Sequence, residues 1–464
     1  MKNILIPSIF PLEGSGSGQY SLDLAYWLSK KDCKPTILCT SNDKTTLHGY
    51  IHAGTNGKDK YSDIILKEIH FPKHSLIEFP AYTGHNLQEN NYTFRDMTME
   101  EANLYIKIFK EAILENIDGQ DYIVCNHIAP LSGMVAELVE EEGLDIQAIQ
   151  IAHGTAIKLK QDCVNGLSAR DTFKDKQVYD KFFVELFEKG KKYVSRTVAI
   201  SKHSHQQLMS LNFHDTEIYC RFNGFDPENF RVIPKIDKHE LLQRTEEGIT
   251  QKKNAALLTL AEKEYKKHFN KNYLQELNQI FQYKYLFVFT GKFTTNPDGT
   301  IFKGIDRIIE AAKILREQRN DFAIIFCGNG EKHVEMIKMS YSLGLDNLFY
   351  IGFQDNASVI PYWNNLAVAG LYPSRNEPFG LVAIECAACG TPPITTKGGG
   401  FLSFVEECGG SLVADFPNEL AEKMDKSIKE NWKETRKKLF SESINYSWIK
   451  IADELHKLIE GITK

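Results

Sequence analysis

Short, almost wholly apolar runs that stop at glycine-bearing loops recur along this chain, and they constrain its fold more than any other feature. Asn3 to Pro7 precedes Gly14-Ser15-Gly16-Ser17-Gly18, and Leu286 to Thr290 leads into Gly291-Lys292-Phe293. Phe322 to Cys327 leads into Gly328-Asn329-Gly330-Glu331, and Leu348 to Ile351 into Gly352-Phe353. Strands apolar at every position are buried on both faces, as in parallel sheets covered by helices. Helical spacing follows several of these runs, from about Tyr20 to Lys30 and from Lys303 to about Arg316. Strand, glycine loop, helix and strand make a βαβ unit, so the pattern predicts an α/β fold with ligands bound at the carboxyl ends of the strands.

At 464 residues the chain exceeds one ordinary core, and two domains are expected. A hydrophobic fraction of 42% beside 25% charged residues is that of a globular protein. The net charge of −6 gives no electrostatic reason to expect nucleic acid as a partner. Basic clusters such as Lys191-Lys192 and Arg436-Lys437-Lys438 have acidic neighbours and read as solvated helix faces. Nine cysteines, an odd number set mostly in apolar runs, predict reduced thiols rather than a disulfide framework. Cys386 and Cys389 form a C-x-x-C with no second pair at metal spacing, which suggests packing. The opening MKNILIPSIFP is too short an apolar run for a signal peptide, and no stretch reaches the roughly 18 apolar residues of a spanning helix. A cytoplasmic protein without a transmembrane segment is expected, with peripheral membrane contact still open.

Pro373 to Gly390, PSRNEPFGLVAIECAACG, is the stretch around which the rest is organised. The apolar run Ala367 to Leu371 ends before it, a polar loop carries Glu377, and an Ala-rich helix opens at Phe379-Gly380. Backbone N–H groups near Phe379, Gly380 and Leu381 then face outward and favour an anion. Glu377 and Glu385, eight positions apart, flank the place where that anion sits. Such an arrangement suits a phosphate joined to something rich in hydroxyls. Lys292 and Lys303 bracket another strand-to-helix turn and suit a diphosphate, at roughly 1.5–3 kcal/mol for each charge-assisted contact. Asp121 to Asn126 and Gln147 to Ala152 read as strands that end in His127 and in His153-Gly154-Thr155, which places both histidines where chemistry is possible.

Glu377-Pro378-Phe379-Gly380 followed by Glu385 resembles the E-P-F-G-(four residues)-E signature of the retaining glycosyltransferases of family four. The resemblance extends, in order, through Gly16, His153, Asn223-Gly224-Phe225-Asp226, Lys292 and Lys303. It implies the GT-B fold, two Rossmann-like domains facing each other across a cleft. The implied layout is an acceptor-side domain over 1–223, a junction with helical insertion over 224–284, a nucleotide-sugar domain over 285–440, and a C-terminal helix over 441–464 that returns to the first domain.

By the same resemblance Gly16 lies nearest the donor diphosphate, and Lys292 with Lys303 is the basic pair. Gly328, Asn329 and Phe353 border base and ribose, Phe379, Gly380 and Leu381 take phosphate, and Glu385 accepts from the ribose hydroxyls. Glu377 and His153 stand beside the transferred sugar as catalytic residues. The irregular stretch from about Asn42 to Asp96, with Tyr82 and His85, and also His127, would face the acceptor. Two departures stand out. Lys292 replaces the usual arginine, and Ser403 stands near the place of a further glutamate.

The implied activity is transfer of a hexosyl group, with retention, from a nucleotide-diphosphate sugar, UDP-sugar favoured, to a sugar, glycan, lipid-linked or small-molecule hydroxyl. No metal cofactor is expected, since the chain contains no Asp-X-Asp. A sugar-nucleotide epimerase or hydrolase of the same fold, or a catalytically silent carbohydrate-binding subunit, is the alternative.

Overall fold

The computed structural model describes residues 1–9, 12, 16–40, 60–61, 64–69, 93–160, 168–220, 223–295, 299–375, 377–413, 416–430 and 432–461. They divide into two compact units, Met1–Asn223 with Trp448–Lys464, and Gly224–Ser447.

The first unit is built on seven strands: β1 (Lys2–Pro7), β2 (Cys33–Cys39), β3 (Ile65–Glu68), β4 (Tyr122–Cys125), β5 (Gln147–Ala152), β6 (Arg196–Ala199) and β7 (Ile218–Cys220). They lie in the order β3-β2-β1-β4-β5-β6-β7, every pair parallel. Central β1 is covered on both faces, and Ile4, Leu5 and Ile6 are fully buried. Strand β3 falls inside the stretch read from sequence as irregular; it pairs with β2 from Thr36↔Ile65 to Cys39↔Glu68. Four partly exposed residues at a sheet edge carry no clear periodicity, so the pairing comes from β2 rather than from the strand's own pattern.

The helix Trp448–Glu460 belongs to this unit and buries Trp448, Ile451, Ala452, Leu455, Leu458 and Ile459 along one face. Its Trp448 ring meets Tyr20, on the Gly16–Ser29 helix after β1, at 4.9 Å between centroids.

The second unit holds β8 (Tyr285–Thr290), β9 (Phe322–Cys327), β10 (Leu348–Gly352), β11 (Ala369–Tyr372), β12 (Pro393–Thr396) and β13 (Ser411–Val413). Their order is β10-β9-β8-β11-β12-β13, again all parallel. Three helices precede β8: Lys238–Ile249, Ala255–Phe269 and Tyr273–Asn278. The sequence reading starts the second domain near Tyr285, but these helices pack within it, and the unit begins at Gly224. The physical reason is visible at β10, an edge strand. Tyr273 Oη accepts from the Tyr350 N–H at 2.7 Å and donates to the Tyr350 carbonyl oxygen at 2.8 Å, occupying groups that an edge would otherwise leave open. Trp363 adds a bond from its indole N–H to Thr245 Oγ1 at 3.1 Å. No helix among the described residues is long and apolar enough to cross a membrane.

Candidate functional site

At the carboxyl edge of the second sheet, the loop after β11 leads into the helix Leu381–Ala388. Gly380 occupies its N-cap with φ +99, a left-handed conformation, and a Cβ there would lie 2.2 Å from the Phe401 ring. As a glycine, this N-cap brings no capping side chain of its own to the first turn, whose leading backbone donors precede the helical ladder. The Ile305–Gln318 helix starts the same way, on Gly304 at φ +70 without a side-chain cap. By contrast Thr98, Asp237 and Asn272 cap helices elsewhere with their side chains. Both glycine-led starts lie on the edge where ligands bind in parallel sheets, and both favour a negative charge.

Lys303 and Glu377 meet there. The Lys303 ammonium donates to Glu377 Oε2 at 2.6 Å, and Glu377 is only 9% exposed. The loop is braced from two sides. Arg375 forms a two-pronged pair with Asp306 at 2.9 and 2.7 Å and donates its backbone N–H to the Phe302 carbonyl oxygen at 2.9 Å. Gly400 donates its N–H to the Glu377 carbonyl oxygen at 2.7 Å. Lys292 is exposed by its surface yet set among enough protein that desolvation lowers its pKa, with a further push from Lys303.

Phe379 turns its ring inward, 4.9 Å from Phe404, so only its backbone serves the loop. Glu385 is half-buried within the helix. Ser403, in the short turn Gly399–Ser403, is buried. Cys386 and Cys389 are buried, and burial pushes the Cys386 thiol up to about 12 and Cys389 well above its usual range, as packing thiols require. Among the described residues, no three His, Cys, Asp or Glu side chains group as metal ligands do.

Gly328 follows β9 and donates its N–H to the Gly352 carbonyl oxygen at 2.7 Å, joining the loops after β9 and β10. Asn329 donates to the Lys253 carbonyl oxygen at 3.3 Å, and Phe353 stands 53% exposed.

In the first unit, the strand ends bring together residues far apart in sequence. His153 Nε2 lies 2.8 Å from Asn126 Oδ1, while the Asn126 amide nitrogen donates to the Ser17 carbonyl oxygen at 2.9 Å and to Ser21 Oγ at 2.5 Å. That orientation leaves Oδ1 as the acceptor and places the His153 proton on Nε2. His153 is 8% exposed, and burial holds its pKa down to about 3. His127, its ring centroid 4.8 Å from that of His153, is pushed well below its ordinary value by burial and then by His153. Gly16 begins the helix that carries Ser17 and Ser21. Tyr82 and His85 lie outside the described residues.

Two residues escaped the sequence reading. Asn126, a polar residue closing an apolar strand, carried a signal that the neighbouring His127 overshadowed. Arg375 stands two positions before Glu377, but nothing local announces Asp306 as its partner.

Residues 275–445 match the family model of glycosyl transferases group 1. A D-inositol 3-phosphate glycosyltransferase of Arthrobacter sp. (strain FB24) is 32% identical over 131 residues, 27% of this chain and 31% of the relative. An uncharacterized glycosyltransferase of Methanocaldococcus jannaschii, MJ1178, is 30% identical over 175 residues, 35% of this chain and 45% of the relative. The chain thus aligns with less than half the length of these relatives. Among solved structures, Anabaena HepE in complex with UDP and glucose superposes with a TM-score of 0.63 at 14% identity, covering 100% of both chains. Sucrose-phosphate synthase from Thermosynechococcus elongatus gives 0.64 at 15% identity, covering 100% of this chain and 99% of that one. Two all-parallel sheets in this order and these likenesses agree: the protein has the GT-B fold, and its segment 275–445 matches the family model of glycosyl transferases group 1.

Proposed function

We propose that this protein is a retaining glycosyltransferase, which moves a hexosyl group from a nucleoside diphosphate sugar, UDP-sugar foremost, to a hydroxyl on a sugar, glycan, lipid-linked or small-molecule acceptor. The observation that carries this reading is the Lys303–Glu377 pair at 2.6 Å beside the helix start at Gly380. A lysine ammonium has three donors, so Lys303 can serve a diphosphate oxygen while still holding Glu377. With Lys292 and the first helical turn at Phe379, Gly380 and Leu381, it supplies positive potential where negative charge grows as the nucleotide leaves. No metal is required for that role in this proposal. Support for a uridine nucleotide comes from HepE, which was solved with UDP and glucose.

In the reaction, the bond from the anomeric carbon to the diphosphate oxygen breaks and a bond to the acceptor oxygen forms on the same face. The acceptor proton passes to the departing diphosphate oxygen. Glu377 orients the transferred sugar, and His153 supports it as a neutral imidazole. Glu385 accepts from the ribose hydroxyls, and Gly16 approaches the diphosphate. Gly328, Asn329 and Phe353 border base and ribose, whereas His127, Tyr82 and His85 belong to the acceptor side.

Proton NMR of the first-formed product from an α-linked UDP-sugar tests the proposal. An α-linked product is expected, and a β-linked product refutes retention. Transfer that persists in EDTA is expected; activity abolished by EDTA and restored by manganese refutes the metal-free role of the lysines.

A further inference from the structure

The helices inserted before β8 bring a residue of their own to the ligand edge of the second sheet. Between Lys238–Ile249 and Ala255–Phe269 lies the turn Lys252–Asn254. Asn254 is fully buried, and its carboxamide treats Phe353 as a strand partner would. Its Oδ1 accepts from the Phe353 N–H at 2.8 Å, and its Nδ2 donates to the Phe353 and Gly248 carbonyl oxygens, each at 2.9 Å. The Phe353 backbone N–H is therefore committed within the protein and is not available to read a ligand. What remains for reading is the Phe353 ring, 53% exposed, and the Lys253 ammonium 4.2 Å from its centroid.

Position makes this pair relevant to the donor. From β11, whose loop carries Glu377, the sheet steps through β8 and β9 to β10, whose loop carries Phe353. Three strand spacings are about 14 Å, the reach of a nucleoside from its diphosphate. An exposed aromatic ring suits stacking of a base, and an ammonium can only donate, so it suits a base that presents a carbonyl oxygen. Uracil presents such oxygens. Where uracil has its O4 oxygen adenine has an amino group, and at that position an ammonium finds no acceptor.

We infer that Lys253, supplied by the inserted helices and set beside Phe353 by Asn254, selects a carbonyl-bearing base, uracil over adenine, in the donor nucleotide. The inference rests on the proposed use of this edge for a nucleoside diphosphate.

Calorimetric titration of the full chain with UDP and with ADP tests it, on the wild type and on Lys253→Met and Lys253→Arg. Wild type should favour UDP by about tenfold or more, Lys253→Met should lose about tenfold for UDP with little change for ADP, and Lys253→Arg should keep the preference. A UDP-to-ADP ratio unchanged in Lys253→Met, or a wild type that favours ADP, overturns the role of Lys253 while leaving the donor site standing. A wild type that binds neither nucleotide overturns the donor reading and this inference together.

Discussion

The two sheets share an order, third-second-first-fourth-fifth-sixth, yet the loops at their carboxyl edges are chemically opposite. In the first unit that edge gathers Asn126, His127 and His153, all buried, with both imidazoles held neutral by desolvation. In the second it gathers the Lys303–Glu377 ion pair and two helix starts whose N-cap is a left-handed glycine. Topology decides where a ligand can sit, and side chains decide what it can be. The charged edge suits a diphosphate. The neutral edge suits an uncharged group such as a sugar ring, which needs hydrogen bonds without net charge.

Removing charge from the second edge should have the largest effect. Lys303→Ala leaves Glu377 buried without its cation and takes a donor from the leaving diphosphate, so kcat/KM should fall by about 100-fold or more. A loss smaller than that of His153→Ala would reverse the comparison. Glu385→Ala should mainly raise the KM for the donor, by about tenfold, with kcat kept; a fall in kcat alone would mean that Glu377 and Glu385 have exchanged roles.

The neutral edge has a signature in stability. His153 is uncharged in the fold, with its pKa lowered from 6.5 to about 3, so unfolding takes up a proton below 6.5. Its contribution is present above that value and declines as pH falls toward about 3. Wild type should lose up to about 1.4 kcal/mol more than His153→Gln over each pH unit in that window, measured by urea denaturation at several pH values. Equal pH dependences would show that His153 is charged in the fold.

Lys292→Arg should have the smallest effect, within about threefold on kcat/KM, because the cation is kept and only its geometry changes. A loss comparable to that of Lys303→Ala would reveal a shape requirement at Lys292.

Much of this was legible in the residues. The strand Phe322 to Cys327 was bounded to the residue, because an uninterrupted apolar run flanked by Asp321 and Gly328 leaves little room for another reading. Gly380 was legible as the residue at the helix start, since E-P-F-G places it between loop and helix. Strand β3 was not, because four edge residues without alternation carry no local signal. The inserted helices were recognised as helices, but their attachment to β10 through Tyr273 was not, since a tyrosine that substitutes for a strand leaves no mark on periodicity.

The sequence by itself determined the α/β class, the paired carboxylates at 377 and 385, the basic pair at 292 and 303, and the two histidines at strand ends, because these depend on residue type and short spacing. Only the tertiary structure decided which of them meet. Lys303 lies 74 positions from Glu377 and Asn126 lies 27 from His153, and contacts at such separations are set by strand order and loop bracing. Charge state followed the same division. The protonation of His153 depends on how much water the surrounding fold removes, and that is a property of packing which no run of neighbouring residues encodes.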